Sequence, residues 1–104
     1  MLCLVEDVPE GGGKKLLTDR EPPLAVWRVE GEIFVTNDTC THGQASLVED
    51  GLLEGFRIEC GLHQGAFDVR SGAVMSAPCR IPLRTYPVSL RDGGVFVAAE
   101  ALGQ

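Results

Sequence analysis

Two short segments, each with one cysteine followed closely by one histidine, constrain this chain more than any other feature. The first is Cys40-Thr41-His42, and after seventeen residues the second is Cys60-Gly61-Leu62-His63. Both histidines of the chain lie in these segments. Two thiolates and two imidazoles together suit a soft or borderline metal centre. The chain is therefore expected to fold so that the two segments meet at one point.

Two kinds of metal centre fit such a ligand set. Zinc also binds two cysteines and two histidines, but its usual order is a cysteine pair followed by a histidine pair. Here each segment mixes one cysteine with one histidine. In a Rieske [2Fe–2S] centre one iron takes two thiolates and the other takes two imidazoles. The mixed order favours that centre, with zinc as the alternative.

Length and charge limit the kind of protein further. A chain of 104 residues predicts one domain. The net charge of −6 disfavours binding to nucleic acid or anionic lipid, although it also serves solubility. No apolar run reaches the length of a membrane span, and no secretory signal is visible. We therefore expect a cytoplasmic protein, in which four cysteines favour metal binding over disulfides.

Short apolar runs separated by glycine and proline predict an all-β fold. Residues 24–29 and 33–36 flank the turn Glu30-Gly31, and residues 88–91 and 95–98 flank Asp92-Gly93-Gly94. Each pair predicts a β-hairpin. Short strands are also expected at 57–59 and 66–69, and a helical turn near 46–49. The glycine-rich run 10–14 predicts a flexible turn.

Three stretches of the chain resemble the Rieske ferredoxins of bacterial aromatic-ring-hydroxylating dioxygenase systems. They are residues 40–47 (CTHGQASL), 58–72 (IECGLHQGAFDVRSG) and 83–88 (LRTYPV). The resemblance covers nearly the whole chain. The loop between the two cysteine–histidine segments is at the long end of the family's range, which could alter the fit to a partner.

The resemblance implies a fold, a cofactor and a role. The fold would be the Rieske fold, with an antiparallel β-sandwich or barrel base domain and a small inserted cluster-binding subdomain at about 38–82. Cys40, His42, Cys60 and His63 would hold one Rieske-type [2Fe–2S] cluster. The protein would pass single electrons from an NADH-dependent flavoprotein reductase to a terminal oxygenase in aromatic hydrocarbon catabolism. Independently of the resemblance, a monomer is the default expectation. It would perform no catalysis itself.

Residues beside the ligands predict a low reduction potential. Hydrogen bonds to the cluster's sulfur atoms raise the potential. Respiratory Rieske proteins carry a serine and a tyrosine that donate such bonds, and by resemblance their positions here hold Gly65 and Phe67. Their loop disulfide corresponds to Ala45 and Leu62. We therefore expect a potential near the bottom of the Rieske range, roughly −150 mV.

Four other functions compete with that of an electron carrier. A Rieske oxygenase needs a further iron site with two histidines, and this chain has only His42 and His63. A respiratory subunit would need a membrane anchor and the loop cysteines. A zinc-binding interaction module would contain no iron or sulfide. A small subunit of another reductase or oxidoreductase complex stays open as the alternative.

Several residues near the predicted cluster have a structural and a functional interpretation. Gly43 and Gly61 are expected to allow close backbone approach to the cluster, whereas Gly65 is expected to serve a turn alone. Asp68 either braces the second ligand loop or belongs to a plain turn. Ala77-Pro78 is expected to cover the cluster.

The remaining predictions concern the other cysteines, Trp27 and the docking surface. Cys79 is expected to be a free structural thiol rather than a fifth ligand, and Cys3 to lie in or beside the first strand. Trp27 is expected in the core. Side chains that flank the ligand histidines are expected to form the docking patch for the oxygenase: Gln44, Leu62 and Gln64.

Overall fold

The computed structural model describes residues 1–17, 22–41, 43, 45–61, 65–77 and 79–98. In this part of the chain the strands form three antiparallel sheets, with one short α-helix and one turn of 3-10 helix at Val5–Asp7. The elements are β1 (Cys3–Leu4), β2 (Gly12–Leu16), β3 (Leu24–Val29), β4 (Glu32–Asn37), α1 (Leu47–Asp50), β5 (Leu52–Glu54), β6 (Arg57–Glu59), β7 (Ala66–Asp68), β8 (Val74–Ser76), β9 (Thr85–Tyr86), β10 (Val88–Arg91) and β11 (Gly94–Val97). The predicted all-β, antiparallel architecture is confirmed.

The first sheet has the order β2-β3-β4-β9 and contains the first predicted hairpin. Strands β3 and β4 pair from Leu24 opposite Asn37 to Val29 opposite Glu32. Glu30 and Gly31 adopt positive φ angles of 52° and 78°, as the tight hairpin turn requires. Both of their amides donate to the carboxylate of Glu10, at 2.9 and 2.8 Å.

The second sheet has the order β1-β11-β10 and contains the second predicted hairpin. Its turn is Asp92-Gly93, with φ angles of 50° and 77°, so Gly94 begins β11 rather than lying in the turn. Cys3 pairs with Val95 and is 7% exposed. Its predicted place in the first strand is confirmed.

The prediction of a flexible turn at 10–14 was wrong for most of its length. Gly12, Gly13 and Lys14 belong to β2, which pairs along β3. A Cβ atom on Gly13 would lie 2.6 Å from the Trp27 ring, so only glycine lets this strand pack closely on that buried side chain. The glycines of β2 allow close packing between strands. Composition alone cannot tell glycines that serve such packing from glycines that make a segment flexible.

The third sheet, β5-β6-β7-β8, lies between β4 and β9 in the chain. It shares a hydrophobic core with the first sheet, in which Ala25 and Trp27 of β3 cluster with Ile58 and Phe67. The predicted core position of Trp27 is confirmed, since it is 2% exposed. The division into a base domain and a subdomain at about 38–82 stays a prediction.

Candidate metal centre

The two predicted cysteine ligands occupy equivalent positions at the ends of two strands. Cys40 lies shortly after β4, and Cys60 directly follows β6. The Cys40 amide donates to the Ala45 carbonyl oxygen at 2.9 Å, and the Cys60 amide donates to the Gly65 carbonyl oxygen at 2.7 Å. Each cysteine therefore opens a loop that closes five residues later by the same kind of hydrogen bond.

The predicted histidine ligands belong to these two loops in sequence. His42 stands two residues after the first cysteine and His63 three residues after the second. Both histidines lie outside the described residues. Of the four predicted ligands, the structure therefore describes the two cysteines. Gln44, Leu62, Gln64 and Pro78 also lie outside the described residues, and the predicted docking patch and Pro78's place in the covering loop stay predictions.

Cys40 and Cys60 are buried side chains in one core cluster. Their exposed fractions are 2% and 1%, and neither forms a disulfide. Cys79 joins the same cluster at 3% exposure. Burial, followed by the proximity of Cys40 and Cys60, raises the pKa of the Cys79 thiol to about 11. The fold therefore brings three thiols from distant parts of the sequence together.

Cys79 lies in the same core cluster as the two predicted ligand thiols, but it is not one of the four predicted ligands. Within the described ranges, no three cysteine, histidine, aspartate or glutamate side chains are arranged to hold a metal ion. Cys3 lies in the other core cluster, and all four cysteines are free of disulfides. Cys79 is buried and free of a disulfide, as expected, whereas its exclusion from the ligand set stays a prediction.

The first ligand loop is held at its base by Asp38, a residue that sequence reasoning did not single out. Asp38 is 1% exposed, and its carboxylate accepts the Val48 amide of α1 at 2.9 Å. Lys15 of β2 lies 3.7 Å from this carboxylate and donates to Glu49 at 2.6 Å. These contacts connect the first ligand loop to the first sheet through α1, whose cap is Ser46.

The first ligand loop also contacts the segment that carries Cys79. The Thr41 hydroxyl donates to the Ile81 carbonyl oxygen at 2.7 Å. Thr41 lies between the two predicted ligands of this loop, and Ile81 lies two residues after Cys79. The Cys79 segment therefore contacts the first ligand loop at two points. The Ile81 carbonyl oxygen accepts the Thr41 hydroxyl, and the Cys79 thiol lies beside Cys40.

The second ligand loop depends on two close approaches at glycine. A Cβ atom on Gly61 would overlap the backbone carbonyl oxygen of Asp50, so this glycine lets the loop pack closely against α1. The expected approach of its backbone to the cluster stays a prediction. A Cβ atom on Gly65 would overlap the sulfur of Cys79. The expectation that Gly65 serves a turn alone was wrong, because its missing side chain makes room for a thiol.

Two further side chains show what surrounds the thiols. Phe67 is fully buried in their core cluster and offers no hydrogen-bond donor. Among the described residues, the side-chain contacts of Asp68 lie in the turn after β7, and its predicted bracing of the second ligand loop stays a prediction. Its carboxylate accepts the Arg70 amide at 2.8 Å and pairs with the Arg70 guanidinium, which lowers the pKa of Asp68. Asp68 therefore stabilises the turn after β7.

The described residues fit an iron–sulfur cluster. Two buried thiols of one core cluster stand at the openings of two loops, and each loop contains one histidine in sequence. Thiolates and imidazoles in equal number are the ligands of a Rieske centre. When bound, such a cluster accepts and releases one electron.

Comparison with known proteins agrees with this donor set. Residues 1–87 match the model of the Rieske [2Fe–2S] domain. The chain is 45% identical to the ferredoxin component of the p-cumate 2,3-dioxygenase system of Pseudomonas putida, over 92% of this chain and 81% of that protein.

Solved structures agree in fold. The ferredoxin of Sphingomonas yanoikuyae B1 matches with a TM-score of 0.88 and 46% identity, covering 92% of this chain and 93% of that one. The ferredoxin in a complex of reduced oxygenase and oxidized ferredoxin in carbazole 1,9a-dioxygenase matches with a TM-score of 0.87 and 43% identity, covering 93% and 89%. The chain therefore belongs to the Rieske [2Fe–2S] domain family, holds one Rieske-type cluster, and is an electron carrier rather than a catalytic oxygenase.

Proposed function

We propose that Cys40 and Cys60 bind one iron of the cluster and that His42 and His63 bind the other. The equal loops opened by the two cysteines support this assignment, because each loop then supplies one ligand to each iron. Replacing one thiolate pair of a four-cysteine cluster by neutral imidazoles makes the centre less negative, which favours its reduction.

The chain's role is to pass single electrons from an NADH-dependent flavoprotein reductase to a terminal aromatic-ring dioxygenase. The observation that carries this role is the likeness to ferredoxin components over nearly the whole chain, one of them in complex with its oxygenase. With two histidines in all, both assigned to the cluster, the chain lacks the ligands for a catalytic iron site of its own. The net charge of −6 suits partners with basic docking surfaces.

Reconstitution with a reductase, a terminal oxygenase and NADH tests this role. We expect NADH-dependent hydroxylation of an aromatic substrate to need the holo-protein and to fall to the background level when it is left out. The Cys60→Ser variant is the matched control, since it keeps the fold's surface while losing a ligand. Equal product formation with and without the chain, across the candidate partner pairs, would contradict the role.

The cluster is expected to have a low reduction potential, roughly −150 mV. Phe67 and Gly65 supply no side-chain donor beside the second loop, and Ala45 closes the first loop without a cysteine. A spectroscopic redox titration measures the midpoint directly. A clearly positive midpoint would show that other groups stabilise the reduced state and would overturn this prediction.

We also propose that the protein works as a monomer in the cytoplasm. In the described ranges no helix is long and apolar enough to cross a membrane. The charge balance favours repulsion between copies. Sedimentation at equilibrium would report the mass of a single 11.1 kDa chain.

A further inference from the structure

The segment after β8 brings Cys79 against both ligand loops, although the sequence places it nineteen residues beyond the second cysteine. Its thiol is 3% exposed, belongs to the same core cluster as Cys40, and lies within hydrogen-bonding reach of the Cys40 thiol. On the other side, its sulfur occupies the space that a side chain at position 65 would need. One sulfur atom therefore contacts the first ligand loop and fills a gap in the second.

We propose that Cys79 is a positioning residue that donates its S–H to the Cys40 sulfur and so stabilises the reduced cluster. This inference rests on the proposed assignment of Cys40 as a ligand. A metal-bound thiolate has no proton of its own to donate, so the neutral Cys79 thiol is the donor of the pair. Reduction adds negative charge to the centre, and a donor to a ligand sulfur then gains strength.

The surroundings of Cys79 keep this contact in place. The Thr41–Ile81 hydrogen bond holds the Cys79 segment against the first loop, and a Cβ on Gly65 would lie 3.1 Å from the Cys79 amide nitrogen as well as against its sulfur. Phe67 and Ile58 are apolar members of the hydrophobic core cluster that contains Cys79. Even a weak hydrogen-bond donor in a site that excludes water is expected to shift the reduction equilibrium measurably toward the reduced form.

The test compares the midpoint potentials of Cys79→Ala and Cys79→Ser with that of the unaltered holo-protein. Alanine removes the donor, and we expect the one-electron equilibrium to shift about two- to fivefold toward the oxidised form, a lowering of roughly 20 to 40 mV. Serine supplies a stronger donor, and we expect a shift toward the reduced form. Cys3→Ala and Cys3→Ser are the matched controls, because Cys3 is a buried thiol in the other core cluster.

Opposite shifts in the two Cys79 variants, with unchanged Cys3 controls, would support the proposal. Unchanged potentials would overturn the proposal. Shifts in the same direction for both Cys79 variants would also overturn it, because a change in packing would alter the potential whether or not the new side chain is a hydrogen-bond donor. If alanine prevents folding, the serine variant alone decides by the sign of its shift. Iron content and the electron paramagnetic resonance spectrum separate this outcome from a wrong ligand assignment: loss of the cluster in Cys79→Ser, with a full cluster in Cys3→Ser, would overturn the positioning role and make Cys79 a ligand.

Discussion

Replacing Cys60 with serine is expected to leave the purified protein with at least about tenfold less iron and acid-labile sulfide. Cys60 is 1% exposed and opens the second ligand loop. Serine is a poorer ligand for iron than cysteine, and water cannot reach this buried position to take the place of the lost thiolate. Cys40→Ser is expected to have the same effect, because its loop is closed in the same way. Iron and sulfide analysis measures both.

The matched control for these variants is Cys3→Ser. Cys3 is likewise a buried cysteine without a disulfide, but it lies in the other core cluster with Val8 and Val95. It should keep the full cluster content of the unaltered protein. Cluster loss in all three variants would show that burying a serine hydroxyl, rather than losing a ligand, is the cause.

Gly61→Ala is expected to lower the free energy of unfolding by about 1–3 kcal/mol and to reduce cluster content with it. The added Cβ would overlap the carbonyl oxygen of Asp50, and a backbone atom cannot rotate away as a side chain can. The second ligand loop would have to move away from α1. Urea denaturation of the holo-protein measures the stability change, and iron analysis measures the cluster.

Gly12→Ala provides the comparison for Gly61→Ala. There the added Cβ would first meet the side chain of Pro9 at 3.1 Å, and this ring can give way by a few tenths of an ångström. We expect the smaller loss of stability and a full cluster. Equal losses in the two variants would mean that the contact of Gly61 with Asp50 has no particular importance for the ligand loop.

The hairpins could be predicted from the sequence because their signals are local. The Glu30-Gly31 and Asp92-Gly93 turns need positive φ angles, which glycine and aspartate adopt more readily than other residues, and apolar runs flank both turns. Strand β2 could not be predicted in this way. Its glycines are explained by the Trp27 ring on the neighbouring strand, and contacts between strands have no signature within the segment itself.

In the candidate site, too, features set by neighbouring residues could be predicted from the sequence, whereas contacts between distant residues could not. The cysteine–histidine segments identify the ligands by their spacing, because ligand type and order are properties of the sequence. The sequence does not reveal that Asp38 links the first loop to Lys15, or that Cys79 fills the space beside Gly65. Both contacts join residues more than ten positions apart, so they become visible only in the folded chain.

The central claim is that Cys40, His42, Cys60 and His63 hold one mixed-ligand [2Fe–2S] cluster that carries a single electron. The most direct test is a reductive titration of the purified protein followed by electron paramagnetic resonance. The account predicts uptake of one electron per chain, with the spectrum of a [2Fe–2S] centre whose nitrogen couplings come from two histidines. Uptake of no electron, or a reduced spectrum without histidine nitrogen couplings, would contradict it.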